Sequence, residues 1–397
     1  MNNMTINPTT SLAINGGPAV TDKPVLIHLP TITDEDIQAV TQAMKTTFVS
    51  GDGPACREFE RQLAEYLGVK HALFLNSATT ALDLAFMVKD FPPGSEVIVP
   101  NFTYTSTALG PILNNLKIVL ADVRPDNGNI DVQKLESYIT EKTVAIIPID
   151  YAGNPPEMDE INAIAKKYGL YVVEDTAQSI GSKYKGKYTG NHADVGTFSF
   201  HGTKNMTTGE GGALVTNDDE IADRVKIMRE KGTDKYSFLT DNITRGYYQY
   251  VDKGSSYVQS NINGAMGITQ LARLEEMNAQ RRAIAEYYLA ELAGIDGLDF
   301  IKITEGAEHN WHLFGLLVPP DKRYWIMDAL RKEGILANVH YTPLHLNKYY
   351  SHLGTDKDFP GSMAFFNRLL RIPIYPSLSK EDQEKVVMAV QKVFANL

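Results

Sequence analysis

The chain of 397 residues has a single cysteine, Cys56, so no disulfide can close within it and a reducing compartment suits it. Long apolar runs are missing as well: none approaches the roughly 20 residues that a membrane helix needs. Residues 1–11 are polar, read as a disordered tail, and lack the apolar centre of a secretory signal. Positive charge is scarce. Against 48 Asp and Glu stand 38 Lys and Arg, a net charge of −10, which excludes a broad nucleic-acid-binding surface. Anion recognition is left to local groups inside a cleft. Internal repeats and low-complexity segments are lacking too. A cytoplasmic protein outside any membrane is the expectation.

What is present reads as an α/β fold. The length calls for a large domain and a smaller one. Between 55 and 230 short apolar runs (71–75, 96–100, 117–122, 143–148 and 171–174) alternate with helical patterns around 56–67, 79–88, 131–139, 158–167 and 218–230. That alternation predicts a mostly parallel sheet covered on both faces, with ligands bound beyond the carboxyl ends of the strands. Leu271, Leu274, Met277 and Ile284 predict a bridging helix near 270–292. The large domain is placed at 12–265, N-terminal segment included, and the small one at 266–397. The stretch 232–253 has little periodicity and reads as an irregular loop.

Three features carry chemistry. Lys204 sits between a short apolar strand and a turn with Gly209, Gly211 and Gly212, which lets the backbone pass close to a ligand. Most lysines are solvated surface groups, and Lys204 alone is only suggestive. Asp175 ends the apolar strand 171–174, either as a carboxylate facing a ligand or as the N-cap of a following helix. Glu174 should point to the opposite face, and Gln178 is one turn on, where a helix-surface glutamine is the plainer reading. Asn-Ser-Ala-Thr (76–79) opens a helix whose free N–H groups favour a phosphate, Ala78 and Thr79 foremost, with Ser199 adding a hydroxyl. Ordinary capping explains that turn equally well. Tyr104, just past a strand, could stack on a flat ring or pack in the core. Together an amine, an acid and an anion cradle are what pyridoxal phosphate (PLP) requires of a protein.

The ordered motifs Ser-Ala-Thr-Thr-Ala-Leu (77–82), Thr-Tyr-Thr-Ser-Thr-Ala (103–108), Val-Glu-Asp-Thr-Ala-Gln (173–178), Ser-Phe-His-Gly-Thr-Lys-Asn-Met-Thr-Thr-Gly-Glu-Gly-Gly (199–212) and Val-His-Tyr-Thr-Pro-Leu-His (339–345) resemble the DegT/DnrJ/EryC1/StrS family. The resemblance spans roughly 12 to 395. It implies the fold type I aminotransferase architecture, PLP as cofactor, pyridoxamine phosphate as its aminated form, and a homodimer with active sites at the interface. By position, Lys204 matches the lysine that bonds the cofactor aldehyde and Asp175 the partner of the pyridine nitrogen. Tyr104 matches the aromatic over the ring, Gln178 the glutamine beside it, and Ala78, Thr79 and Ser199 the phosphate contacts. Ser256 stands where relatives carry an asparagine that reaches the partner subunit's phosphate, and Val258 where they carry an arginine.

For substrate, the resemblance implies a nucleotide-linked keto-sugar with L-glutamate as amino donor. Arg-Glu-Lys-Gly-Thr (229–233), Gly-Ser-Ser-Tyr (254–257) and Asp-Tyr-Ala-Gly (150–153) look most like the dTDP-4-amino-4,6-dideoxygalactose transaminases, which aminate C4 of dTDP-4-keto-6-deoxy-glucose. The alternatives are a 3-keto nucleotide sugar, a keto-cyclitol, or a PLP-dependent sugar dehydratase. A related dehydratase branch carries histidine at the lysine position, so Lys204 favours transamination. A non-catalytic regulatory protein is a further alternative, which the retained lysine, acid and phosphate turn oppose. Ser50, with Gly51 and Gly53, matches a loop at the active-site mouth. His340, Tyr341 and His345 match a small-domain motif facing the cleft, and Lys231 and Arg245 are candidates for a diphosphate. No metal site is expected.

Overall fold

A computed structural model describes residues 11–234 and 247–397. Thirteen strands are seen among the described residues: β1 (His71–Leu75), β2 (Glu96–Pro100), β3 (Lys117–Ala121), β4 (Thr143–Ile146), β5 (Tyr171–Asp175), β6 (Lys183–Tyr184), β7 (Lys187–Tyr188), β8 (Val195–Ser199), β9 (Gly212–Thr216), β10 (Asp299–Phe300), β11 (Ala307–Glu308), β12 (Phe314–Leu317) and β13 (Leu369–Ile372). Seven of them form one sheet in the order β1-β9-β8-β5-β4-β2-β3. Within it β9 runs against both of its neighbours, and the other pairs are parallel. This is the α/β fold type I aminotransferase architecture.

Strands β5, β8 and β9 are buried along their whole length, as in a sheet covered on both faces. Helices Pro54–Leu67, Ala78–Met87, Met158–Tyr168 and Asp219–Met228 fall where helical spacing places them. The 131–139 segment does not become an α-helix. It makes one 3-10 turn, Leu135–Tyr138, because Val132, Leu135 and Tyr138 recur every three residues, the period of that tighter helix. No helix follows Asp175 either; residues 176–182 turn without one.

Helix Leu274–Glu291 joins two cores. Leu274 and Met277 pack with Phe59, Phe74 and Phe200 under the large sheet. Ile284, Ala285 and Tyr288 pack instead with Phe314, Leu370 and Ile372 of the small domain. The small domain's sheet, β10-β12-β13, is antiparallel.

The opening of the N-terminal segment packs on the small domain: Leu12 and Val25 are buried in that core. The reason is a buried acid. Glu333, fully enclosed, accepts from the N–H groups of Ala13 (2.8 Å) and Val20 (3.0 Å) and pairs with Lys392 Nζ at 2.9 Å. Lys392, 2% exposed, also donates to the Pro18 carbonyl at 2.7 Å. A buried carboxylate needs every lone pair met, and this segment supplies two of the donors.

Candidate active site

The carboxyl ends of β1, β2, β5 and β8 open on one cavity of about 640 Å³. Seven residues predicted from sequence line it: Ala78, Thr79, Tyr104, Asp175, Gln178, Ser199 and Lys204. His340 and Tyr341 line it from the small domain.

The anion cradle is built by close packing. Ser77 caps helix Ala78–Met87 by accepting from Thr80 N at 3.1 Å, so the N–H groups of Ala78 and Thr79, beyond the reach of any helical carbonyl, remain at the cavity wall. Burial of Leu82 and Phe86 against the sheet holds the helix there, each apolar side chain contributing about 2 kcal/mol. β9 starts directly against this turn. A Cβ at Gly212 would lie 2.2 Å from the Ser77 carbonyl carbon and 2.3 Å from Ala78 N. The tight approach at Gly212 is thus made to the cradle, while Gly211 lines the cavity itself.

Asp175 is 8% exposed at the end of β5. Thr107 Oγ1 donates to its Oδ2 at 2.7 Å and the Ala177 N–H to its Oδ1 at 3.2 Å. The expected alternation holds: Glu174 turns to the other face and accepts from Gly190 N at 2.9 Å. Burial raises the Asp175 pKa, against the pull of Thr107, Ala177 and the Lys204 charge. Lys204 is half-buried and lines the cavity. Protein crowds it, and that burial lowers its pKa to about 8, opposed by Asp175 and helped by Arg371. An amine so placed loses its proton near neutrality, which is what attack on an aldehyde demands.

Gln178 is no helix-surface side chain. Its Oε1 accepts from Ala152 N at 2.7 Å and its Nε2 donates to the Tyr341 hydroxyl at 2.7 Å, which ties the two domains across the site. Tyr104, 56% exposed, has its ring centre 5.5 Å from that of Tyr341. Ser199 is buried, and its Oγ accepts from His201 N at 3.4 Å. His340 is pushed down to about 4 by burial and by the charges of Arg371 and Lys204, so its ring is neutral.

Other predicted residues lie elsewhere. His345 is buried away from the cavity wall, its Nδ1 2.9 Å from Asn101 Nδ2 and its Nε2 3.0 Å from Asp356 Oδ1. Ser50, Ser256 and Lys231 are exposed on one neighbouring face, where Gly51 bridges to Ser260 and Glu230 to Ser256. Lys231 Nζ pairs with Glu230 at 3.0 Å. Arg245 lies outside the described residues. Among the described residues no cluster of side chains could hold a metal ion, and no helix is long and apolar enough to cross a membrane.

Several wall residues were not anticipated. His28 reaches in from the N-terminal segment, 3.0 Å from the Gly202 carbonyl. Asp150 and Arg371 did leave a trace in the sequence: each puts a charge in or at the end of an apolar run, Ile-Pro-Ile-Asp and Leu-Leu-Arg-Ile. Asp150 is 1% exposed and accepts from Ser179 Oγ at 2.5 Å, and burial with the nearby Glu174 pushes its pKa well above the usual carboxylate range.

These residues fit PLP. The two free N–H groups and Ser199 suit its phosphate, Asp175 its ring nitrogen, Lys204 its aldehyde, and Tyr104 the ring face. When bound, PLP supplies the electron sink that lets an amino acid's α-carbon give up a proton. The protein's part is positional. Asp175 would pair with the ring nitrogen, and Lys204 Nζ, pressed towards neutrality, would be the group to take and return the proton at carbon.

The comparisons agree. Residues 30–391 match the DegT/DnrJ/EryC1/StrS aminotransferase family. Spore coat polysaccharide biosynthesis protein SpsC of Bacillus subtilis is 36% identical over 373 residues, 92% of this chain and 96% of that protein. Among solved structures, Helicobacter pylori PseC, an aminotransferase of pseudoaminic acid biosynthesis, superposes with a TM-score of 0.89 at 29% identity, over 94% of this chain and 100% of PseC. A candidate sugar aminotransferase of Streptococcus pneumoniae in its PLP form gives 0.86 at 30%, over 94% and 99%. With Lys204, Asp175 and the cradle on one cavity and the match running along nearly the whole chain, the protein belongs to the DegT/DnrJ/EryC1/StrS aminotransferase family and is a PLP-dependent transaminase.

Proposed function

We propose that the enzyme moves an amino group from L-glutamate to the C4 keto group of a nucleotide-linked 6-deoxy sugar, dTDP-4-keto-6-deoxy-glucose. The observation that carries the transfer is Lys204, a crowded amine with its pKa near 8, on the same cavity as the buried Asp175. The sugar reading is supported by the relatives, one named for spore coat polysaccharide and one for pseudoaminic acid biosynthesis. The choice of C4 and of dTDP rests on the motifs at 150–153, 229–233 and 254–257. A 3-keto sugar or a keto-cyclitol is the rival substrate. A sugar dehydratase is disfavoured by the lysine.

The working unit in this reading is a homodimer. Ser50, Ser256 and Lys231 sit on exposed surface outside their own cavity wall, beside exposed Phe48 and Val49, where a second copy would bring them to its site. Ser256 then faces the partner's cofactor phosphate, and Lys231 and Arg245 the substrate diphosphate. His340 and Tyr341 take the sugar, and His345 acts by fixing the loop that carries them.

The test is incubation with dTDP-4-keto-6-deoxy-glucose, PLP and L-glutamate, followed by mass spectrometry and NMR at C4. The expected product is one amino group in place of the keto oxygen at C4. An amine at C3, or sugar unchanged while a keto-cyclitol is aminated, would replace this substrate with its rival.

A further inference from the structure

A second cavity of about 550 Å³ lies apart from the active site, and no residue lines both. Four pieces of chain frame it: the loop after β3, the start of helix Met158–Tyr168, the β6–β7 hairpin, and the stretch 302–306 that leads into β11. Backbone bonds fix that stretch. Lys302 N donates to the Asp126 carbonyl at 2.9 Å, and the Gly306 carbonyl accepts from Lys185 N at 2.8 Å. The Asn154 side chain holds its middle, accepting from Thr304 N at 3.0 Å and donating to the Lys302 carbonyl at 3.0 Å. The wall is therefore formed before any ligand arrives.

Two wall residues carry polar atoms without partners. Thr304 is 5% exposed, and its Oγ1 is buried with no hydrogen bond. Glu157 sets Oε1 on Arg124 Nη1 at 2.7 Å, while its Oε2 is buried with no donor. Such groups are costly to leave unmet and point to a ligand that meets them. The charges of the wall give its sign. Arg124 is spent on Asp126, at 2.8 and 3.0 Å, and on Glu157. Lys185 is spent on Asp159 at 2.6 Å, and Lys302 Nζ stands 4.0 Å from Asp126. Glu160 has only the Tyr184 hydroxyl at 3.4 Å, and Glu305 forms no ion pair among the described residues. Acceptors are in excess, so the wall calls for a cation.

We propose that this second cavity binds a hydroxylated organic ammonium, an amino sugar, with its ammonium on Glu157 and a ring hydroxyl on Thr304. Size excludes a bare ion. A water takes roughly 30 Å³, and small-molecule sites run to roughly 300–1,000 Å³. A plain alkylamine would meet Glu157 and leave Thr304 without a partner. A sugar hydroxyl can give to the Thr304 oxygen and accept from it. The carboxylate–ammonium contact is the stronger of the two, being charge-assisted. The proposal goes beyond the transaminase reading and does not rest on it, since it uses none of the residues of that site.

The test uses the enzyme loaded with pyridoxamine phosphate, which has no aldehyde to capture an amine. It is titrated calorimetrically with methyl glucosaminide, methyl glucoside and putrescine. The glucosaminide should give a saturable heat. The glucoside, with a hydroxyl in place of the ammonium, should bind at least about tenfold more weakly, and putrescine about threefold or more. Glu157→Gln should weaken the glucosaminide at least about tenfold and Thr304→Val about threefold to tenfold. Thr304→Val keeps the shape and removes an unpartnered hydroxyl, so its melting temperature should not fall. No heat with the glucosaminide, equal binding of the glucoside, or full affinity in both variants overturns the site. Putrescine binding as tightly as the glucosaminide overturns the assignment to a sugar. Should Glu157→Gln misfold by losing its Arg124 pair, wild-type crystals soaked with the glucosaminide decide: the ammonium is expected on Glu157, and an empty cavity overturns the proposal.

Discussion

On the large-domain wall of the cavity a carboxylate answers an ammonium, Asp175 against Lys204, and each is presented by the end of a strand or the turn after it. On the small-domain wall Arg371 donates to a neutral histidine and stands near two phenols, and no acid acts on it. The first wall sets opposite charges together, and the second leaves a positive charge with no acid acting on it. The difference is one of charge balance: the first wall suits a resident group, and the second suits an anion brought from outside.

The largest effect that would break this contrast belongs to Lys204. Lys204→Ala removes both the covalent anchor and the proton carrier, and amino transfer should fall by about 10⁴-fold or more. Loss of the absorbance near 420 nm (roughly where conjugated imines absorb) should accompany it. A band that survives dialysis in this variant would assign the anchor to another lysine.

Next comes the clamp behind the small-domain wall. Lys392→Met strands the enclosed Glu333 carboxylate, and chemical denaturation should show about 3 kcal/mol of lost stability. Because the clamped segment continues to His28, the variant's affinity for 2-oxoglutarate should drop more than its affinity for PLP. Equal losses would erase the distinction between the walls.

Ala78→Pro sharpens the large-domain side. Proline is tolerated at the first position of a helix, and Ser77 before it is extended, with ψ 163°. The substitution deletes one N–H from the cradle and sets a ring on a nitrogen that Gly212 already approaches closely. PLP should bind at least about tenfold more weakly, by fluorescence titration of the apoenzyme.

The smallest effect is a slope in pH. The Lys204 pKa is lowered from 10.5 to about 8 in the fold, so the unfolded chain binds more protons between those values. Apoenzyme stability from this group rises with pH across that window, and the penalty is fully present below pH 8. The rate of PLP capture should rise about tenfold per pH unit up to about 8 and then level off, following the neutral amine. Lys204→Met should remove the stability slope. If the slope persists, Lys204 is not its source.

Much of the large-domain wall could be read from sequence because its roles sit in contiguous strand–turn–helix units. Asp175, Ala78 and Lys204 each follow a short apolar run that predicts a strand, and the chain direction then puts them on the same rim. The small-domain wall has no such unit. Arg371 and Asn338 are adjacent through backbone pairing across 32 intervening positions, and His28 arrives from the far end of the chain. Periodicity cannot bring such residues together; tertiary packing does. Spacing is equally silent on where the opening stretch docks, through Leu12, Val25 and the buried Glu333. His340 and Tyr341 were found by resemblance alone, and nothing in their spacing pointed at the cavity.

The clamp at Glu333 bears on how this protein can be divided. A recombinant fragment of 266–397 would keep the acid and Lys392 yet lack the two amides and the Pro18 carbonyl that satisfy them. It would also carry a bridging helix whose Leu274 and Met277 had lost their neighbours. The smaller lobe is therefore not a module that gene shuffling can lift out by its C-terminal third. Any graft must bring the opening stretch along.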